Sequence, residues 1–425
     1  MSIDRRDFLK LSAAGIVVGV FPGCATSASE IVKKKGQRVV IVGAGFGGAT
    51  AAKYIRMWGE NKIEVVLIER NPTFISCPMS NTVLGGSRTI SDLTQDYDTL
   101  KSKYGIELVR GEVKAVDPQK QTVTLADGYL SYDRLIVAPG VDFMFDQIEG
   151  LSAEVAGESI PHAWKAGAQT TLLRKQLESM TDGGIFAISI PKAPYRCPPG
   201  PYERACQVAF YLKNNKPKSK VLILDANPDI VSKKGLFMSA WNELYPGMVE
   251  YRANAEAKHV NVAGKIIKTE FEDVKADVLN VIPPMKAGAV ASMAGVVNVD
   301  NRWCAVDFLT YESKVHKNIH VIGDSVSAAL PKSGHMASSQ AKVCAAAIIE
   351  LMQGRQPDSN PAIANTCYSM VSNNEAVHVA HVYRFNAEKQ AMIPAEGGGV
   401  SAKRSEVEGT LANYWLKNIL NDVLL

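Results

Sequence analysis

No C-x-x-C occurs among the seven cysteines of this 425-residue chain, and there is no C-x-x-C-H. The first absence disfavours zinc ribbons and thioredoxin-type chemistry, and the second places any attached haem on another polypeptide. The seven histidines are scattered without ligand spacing, so no metal site is expected. Long apolar runs are missing too: Leu11–Phe21 spans about 11 residues, short of the ~20 that cross a bilayer. Nor is there an excess of one charge. Lys and Arg number 47 against 43 Asp and Glu, a net charge of +4, too little for a nucleic-acid footprint. Apolar residues at 46% and charged residues at 21% exclude a disordered, collagen-like or polytopic membrane chain. The length implies two or three domains.

What is present begins with an address. Asp4-Arg-Arg-Asp-Phe-Leu-Lys10 precedes the short apolar stretch and small residues through Ala28. A charged start, an apolar middle and a small-residue end describe a cleaved export signal. The paired arginines resemble the twin-arginine type, which exports folded proteins, so residues 1–29 are read as a signal to the periplasm. Cys24 would leave with it. In an oxidising compartment a disulfide among the remaining six cysteines can persist.

The first chemical motif is a βαβ unit. Arg38–Val42 reads as a buried parallel strand, Gly43-Ala-Gly45-Phe-Gly-Gly48 as a glycine turn, Ala49–Met57 as a helix, and Ile63–Ile68 as a second strand ending in Glu69. Gly43 permits the tight turn, Gly45 lets backbone approach a pyrophosphate, and Gly48 lets helix pack on strand. The helix N-terminus offers N–H groups to phosphate, and Glu69, next to Arg70, can accept from ribose hydroxyls. Tyr132–Gly140, ending Ala138-Pro139-Gly140, and His320-Val-Ile-Gly-Asp324 resemble the other two FAD motifs of two-dinucleotide flavoproteins. Their order implies FAD on the first domain, with Asp324 at the ribityl chain.

A second βαβ unit is expected from Gly184–Ile190 and Val221–Asp225, but its junction lacks a phosphate loop. Pro191–Glu203 holds five prolines, which remove N–H donors where a pyrophosphate needs them. Nicotinamide nucleotide is disfavoured as electron donor, and Cys197 stands in that loop instead.

The C-x4-C of dithiol flavoprotein reductases is also absent. From Arg38 to the C-terminus the chain resembles the flavoprotein subunit of flavocytochrome c sulfide dehydrogenase. The matches are Cys77-x-x-Ser-Asn81, Pro161-His-Ala-Trp-Lys-Ala-Gly167, Arg196-Cys-Pro-Pro-Gly-Pro-Tyr-Glu203, Pro331-Lys-Ser-Gly334 and Asn365-Thr-Cys-Tyr368. The resemblance implies that Cys77 joins the 8α-methyl of FAD, the other reading being a buried structural thiol. It implies that Cys197 and Cys367, 170 residues apart, form a redox-active disulfide that hydrosulfide attacks. It makes Glu203 a proton acceptor, against the alternative of a solvated glutamate on a helix starting near Tyr202. Trp415 matches a family tryptophan near the flavin and the cytochrome-facing side, or closes the core. Cys206, Cys304, Cys344 and His162 are read as packing residues.

The implied fold is α/β, glutathione-reductase-like: two Rossmann-like domains and a C-terminal α+β interface domain. The FAD domain takes residues 37–150 and 278–355, the second domain 151–277 without an NAD site, and the interface domain 356–425. The implied activity is sulfide oxidation to sulfane sulfur or polysulfide, with electrons passed to a c-type cytochrome subunit. The rival readings are a sulfide:quinone oxidoreductase at the membrane surface and a flavin-bearing subunit that binds or chaperones a cytochrome without turnover.

Overall fold

The computed structural model describes residues 29–425. The export-signal reading, with Cys24, falls on residues outside the described part.

All five residues of Arg38–Val42 are buried. With no polar face for water, such a strand belongs inside a parallel sheet covered on both sides. It lies at the centre of five parallel strands, in the order Ile319–Val321, Arg134–Val137, Arg38–Val42, Glu64–Glu69, Glu107–Arg110. Val39, Val40 and Ile41 are wholly inaccessible, and each contributes roughly 1.5–3 kcal/mol on burial. Arg38 is buried as well, its guanidinium forked onto Glu64 with both contacts at 3.0 Å and reaching Glu30 at 3.0 Å. A buried charge persists only when paired in this way. The pairing ties the segment around Glu30 to the sheet.

The helix Phe46–Trp58 buries Gly47, Gly48, Ala49, Ala51 and Ala52. These small side chains let it close on the helix Gly334–Met352. The edge strand Ile319–Val321 is supplied by chain returning from a second sheet, so the first sheet is built from two segments.

The second sheet is also parallel: Val249–Arg252, Lys220–Asp225, Ile185–Ile190, Val278–Val281. Val278–Val281 pairs with Ile185–Ile190, so residues 278–281 belong to this sheet and not to the first, where the sequence reading put them. A short, wholly buried run carries no mark of which parallel sheet it joins. The chain crosses back through a short antiparallel ladder between Val141–Phe143 and Met285–Ala287. The helix Gly200–Asn215 begins two residues before Tyr202, with Pro201 in its first turn, where a missing N–H costs no helical hydrogen bond.

The third part is an antiparallel sheet. Ala362–Met370 pairs with Ala376–Asn386, which also pairs with Ala391–Pro394 and Gly399–Val400. The helix Glu406–Leu424 is capped by Ser405, whose side chain accepts from the Glu408 N–H, and carries Glu406 and Glu408 in its first turn. Ala412, Leu416, Ile419, Leu420 and Val423 form its buried face. At its other end the Lys53 ammonium donates to the Asn421 and Asp422 carbonyls at 3.1 and 3.0 Å, satisfying acceptors the helix leaves open. Among the described residues no helix is long and apolar enough to cross a membrane.

Candidate active site

The glycine turn is shaped by contact. Gly43 has φ +96°, and a Cβ there would meet the Ala138 carbonyl oxygen at 2.4 Å; one on Gly48 would meet the Gly43 oxygen at 1.8 Å. A Cβ on Gly45 would meet nothing within 4 Å, which leaves open space at the start of the Phe46–Trp58 helix. That is the space a pyrophosphate needs. Glu69 is buried. Its Oε2 accepts from the Ala44 N–H at 2.8 Å and its Oε1 from the Asn71 N–H and Nδ2 at 2.8 and 2.7 Å. Oε1 is thereby filled, and Oε2 keeps a lone pair for a ribose hydroxyl. Arg70 is exposed and pairs with Glu112 at 3.6 Å.

Ala138, Pro139 and Gly140 leave the neighbouring strand, and Gly140 turns the chain at φ +67°. Its carbonyl accepts from the Ser325 hydroxyl at 2.6 Å, which docks this turn onto the one carrying Asp324. Asp324 Oδ1 is buried and has no partner among the described residues. Burial raises its pKa, opposed by Arg196 and Lys332. An orphaned buried acceptor of this kind calls for a donor, and a ribityl hydroxyl supplies one. Open glycine, ribose acid and orphaned aspartate together fit FAD.

Cys77 is half-buried, in the turn before the short helix Asn81–Gly85. The Arg196 guanidinium faces it. Burial works against that charge, yet Cys77, Asp324 and Cys197 outweigh burial and raise the Arg196 pKa. One arginine thus lies among the cysteine expected to hold the flavin, the ribityl aspartate and the sulfur pocket.

The fold brings Cys197 and Cys367 close enough for their charges to interact, as two free thiols and not as the disulfide expected from the resemblance. A reducible pair has both forms. Cys197 adopts a left-handed φ of +58°, held by its N–H donating to the Lys332 carbonyl at 2.7 Å. Burial raises its thiol pKa, and the charges of Cys367 and Glu203 add to the rise. Cys367 lies on the strand Ala362–Met370, its sulfur 3.4 Å from Asn365 Nδ2.

Glu203 is 6% exposed, so the solvated-helix alternative does not hold. Its Oε1 accepts from the Met370 N–H at 2.9 Å, on the strand that carries Cys367, and its Oε2 from Asn81 Nδ2 at 2.9 Å. Burial raises its pKa, against the pull of Met370, Asn81, Lys233 and Arg204. A carboxyl so placed takes up a proton more readily than one in water.

Four residues complete the site that the sequence reading gave no role. Asn81 also donates to the Gly200 carbonyl at 3.1 Å, and with Arg204 it joins the Cys77 turn to the Cys197 helix. Arg204 crosses the Trp164 ring at 4.7 Å, and burial lowers its pKa to about 9. Lys233 donates to the Cys367 carbonyl and to Ser369 at 3.1 and 2.8 Å. Arg196 and Asn81 stood inside quoted motifs. Lys233, in Ser232-Lys-Lys-Gly235, carried no signal.

The second nucleotide position is filled by the protein itself. Asp225, the acid that would hold a ribose, is inaccessible. It accepts from Tyr202 at 2.7 Å, Tyr251 at 3.0 Å and the Asn227 N–H at 2.9 Å. Trp241 stacks on Tyr251, ring centroids 6.2 Å apart.

Trp415 is half-buried between Tyr368 at 5.8 Å and His335 at 6.2 Å, with its Nε1 unpartnered. Cys206, Cys304 and Cys344 are wholly buried. His162 packs on Phe143 at 4.0 Å beside a cavity of about 840 Å³.

Residues 170–283 match the family model for the central part of the sulfide dehydrogenase [flavocytochrome c] flavoprotein chain. Residues 359–424 match the flavocytochrome c sulphide dehydrogenase flavin-binding model, and residues 37–176 the pyridine nucleotide-disulphide oxidoreductase model. A sulfide dehydrogenase [flavocytochrome c] flavoprotein chain of Chlorobaculum thiosulfatiphilum is 51% identical over 47 residues, 11% of this chain and 96% of that sequence. Mitochondrial sulfide:quinone oxidoreductase of Dictyostelium discoideum is 24% identical over 340 residues, 76% of this chain and 74% of its own length. The crystal structure of the sulfide:quinone oxidoreductase of Aquifex aeolicus superposes with a TM-score of 0.75 at 20% identity, covering 91% of each chain, which shows the fold. The two flavocytochrome models match the remodelled second sheet and the C-terminal sheet, which supply Cys197 and Cys367. On these grounds the chain belongs to the flavocytochrome c sulfide dehydrogenase flavoprotein family, with the two-dinucleotide-binding flavoprotein fold.

Proposed function

We propose that this chain is the flavoprotein of a periplasmic sulfide dehydrogenase, exported folded by the twin-arginine route. It oxidises hydrogen sulfide to sulfane sulfur or polysulfide and passes electrons to a c-type cytochrome subunit. The carrying observation is the cluster of Cys197, Cys367 and Glu203, next to the Arg196 that faces Cys77 and Asp324. In the oxidised form the two cysteines are a disulfide. Hydrosulfide attacks one sulfur, the S–S bond breaks, and its electron pair stays on the other sulfur as a thiolate. A persulfide is left on the attacked cysteine, and the hydrosulfide proton passes to Glu203. FAD, when bound, supplies a two-electron acceptor that can be emptied one electron at a time. In this reading Cys77 would hold it covalently through its 8α-methyl.

The test is anaerobic sulfide addition to the purified protein. Rapid bleaching of the flavin, abolished in Cys197→Ser and in Cys367→Ser, supports the reading. No bleaching in the unaltered protein favours a cytochrome-binding subunit without turnover.

A quinone acceptor is the second reading, favoured by an exposed apolar stripe on the last helix. Val407, Leu411 and Tyr414 are 68%, 45% and 61% exposed on one helical face. Steady-state assays with cytochrome c and with a soluble quinone separate the two: faster quinone reduction, with the protein bound to vesicles, removes the cytochrome reading.

A further inference from the structure

Lys233 and Lys234 adjoin in sequence and differ in every physical respect. Lys234 is an ordinary surface lysine, half-exposed and paired with Asp229 at 2.6 Å. Lys233 is 7% exposed, and among the described residues no carboxylate oxygen lies within 4.0 Å of its ammonium. Its two hydrogen-bond acceptors are neutral, the Cys367 carbonyl at 3.1 Å and the Ser369 hydroxyl at 2.8 Å. Its backbone is held left-handed at φ +55°, a conformation that non-glycine residues rarely adopt. An ammonium taken out of water without a contacting anion is costly. The fold nevertheless holds it, with strain, at one place.

That place is the sulfur pocket. The titratable groups that face Lys233 are Cys367, Glu203, Cys197 and Cys206, from the C-terminal strand and the Gly200–Asn215 helix with its loop; the Phe237 ring lies 5.7 Å away. Burial lowers the Lys233 pKa to about 8, with those four groups pulling the other way, so the side chain is mostly charged at neutral pH. The other cations are committed. Arg204 spends its donors on Asn81, Asn280 and the carbonyls of His162 and Ala163. Arg196 is drawn chiefly to Cys77 and Asp324. Glu203 faces Lys233 without touching it, so the contacting anion that Lys233 lacks at rest is one the site generates: sulfur that has lost its proton, or a sulfur freed from a disulfide.

We propose that Lys233 is a positioning residue, the fixed counter-charge for the sulfur anion formed at the Cys197–Cys367 pair. An oriented charge that needs no rearrangement when the anion appears is how a dry site stabilises developing charge. The inference deepens the sulfide reading by naming the group that makes one cysteine a good leaving sulfur. It is tested without sulfide.

The experiment is alkylation of the reduced holoprotein by iodoacetamide across pH 5.5–9.5, read at Cys197 and Cys367 separately by peptide mass. In Lys233→Met the inflection at the more reactive cysteine moves up by about one unit, which is about tenfold slower labelling at neutral pH. Lys233→Arg, which keeps the charge, stays within about threefold of the unaltered protein. A Lys233→Met profile that superimposes on the unaltered one, in protein of unchanged melting temperature, overturns the proposal. Lys233→Gln carries the same test if Lys233→Met does not fold. A shifted profile in a protein that sulfide does not reduce supports this inference and removes the sulfide reading.

Discussion

The Tyr202 hydroxyl donates a 2.7 Å hydrogen bond to Asp225, the acid at the end of the second sheet's second strand. In a working dinucleotide site that carboxylate belongs to a ribose. Here Tyr202, Tyr251 and Asn227 occupy it, and the glycine turn that should precede the helix is a proline loop. The position is consumed by the fold. NADH is accordingly expected to reduce the flavin at less than about one hundredth of the sulfide rate. Anaerobic mixing with each donor, followed at the flavin absorbance, checks this. Comparable rates would mean that the tyrosines swing away.

Gly45 and Gly48 sit three residues apart and should fail differently. A Cβ at Gly48 collides with the Gly43 oxygen at 1.8 Å, whereas one at Gly45 meets nothing within 4 Å. Gly48→Ala is expected to destabilise the chain by about 2–4 kcal/mol. Gly45→Ala should leave the flavin-free chain within about 1 kcal/mol and still lower its hold on FAD. Denaturant melts of flavin-free protein, set beside flavin content after dialysis, separate the two effects.

Cys77 offers a direct readout of the flavin link. Denatured protein should keep its flavin fluorescence on the chain, and Cys77→Ser should release it. Cys206→Ser should not, because Cys206 is wholly buried in the second sheet's helix. Gel fluorescence after denaturation is sufficient. Free flavin from the unaltered protein would end the covalent reading.

Glu203 has its pKa raised by burial, so it gains proton-accepting form only above the usual carboxylate range. The rate of flavin reduction by sulfide should therefore rise with pH through a limb that Glu203→Gln lacks, with a loss of about tenfold to a hundredfold at neutral pH. Its stability effect has the opposite slope. The folded protein binds this proton more tightly than the unfolded chain does, so Glu203 stabilises below its folded pKa and costs stability as pH rises through it. Stopped-flow profiles and melts of both proteins over the same pH range give the comparison.

Two buried histidines are held neutral. His162 Nδ1 accepts from the Trp164 N–H at 2.9 Å, and burial, then Arg204, Arg196 and Lys165, lower its pKa to about 3. His320 is wholly buried between the Thr310 carbonyl at 2.8 Å and the Arg134 guanidinium at 3.1 Å, and burial holds its pKa well below the ordinary value. As pH falls below about 6.5 the unfolded chain takes up protons that the folded chain refuses, so stability is lost toward acid. From pH 7 to pH 5 the loss is about 2 kcal/mol per histidine. In His320→Asn that part of the loss disappears from denaturant titrations at the two pH values.

Much of the first domain is legible in sequence because its signals are local. A buried strand, glycines at fixed offsets and a terminal acid each constrain backbone within a few residues; Gly43 and Gly48 make the close approaches those signals imply, and Glu69 accepts from the Ala44 N–H beside them. The same locality limits them. Val278–Val281 is as fully buried as Arg38–Val42, and nothing within it says which of two parallel sheets it enters.

By itself the sequence determined the nucleotide turn, the lack of a second one, and the presence of Cys197 in the proline loop that replaces it. Local patterns suffice for that. Only the tertiary structure brought Cys197 and Cys367 together across 170 residues. It also buried Glu203 against Met370 and turned one of two adjacent lysines inward to face the sulfurs. Burial and electrostatic reach depend on which elements pack together, and no window of sequence contains that.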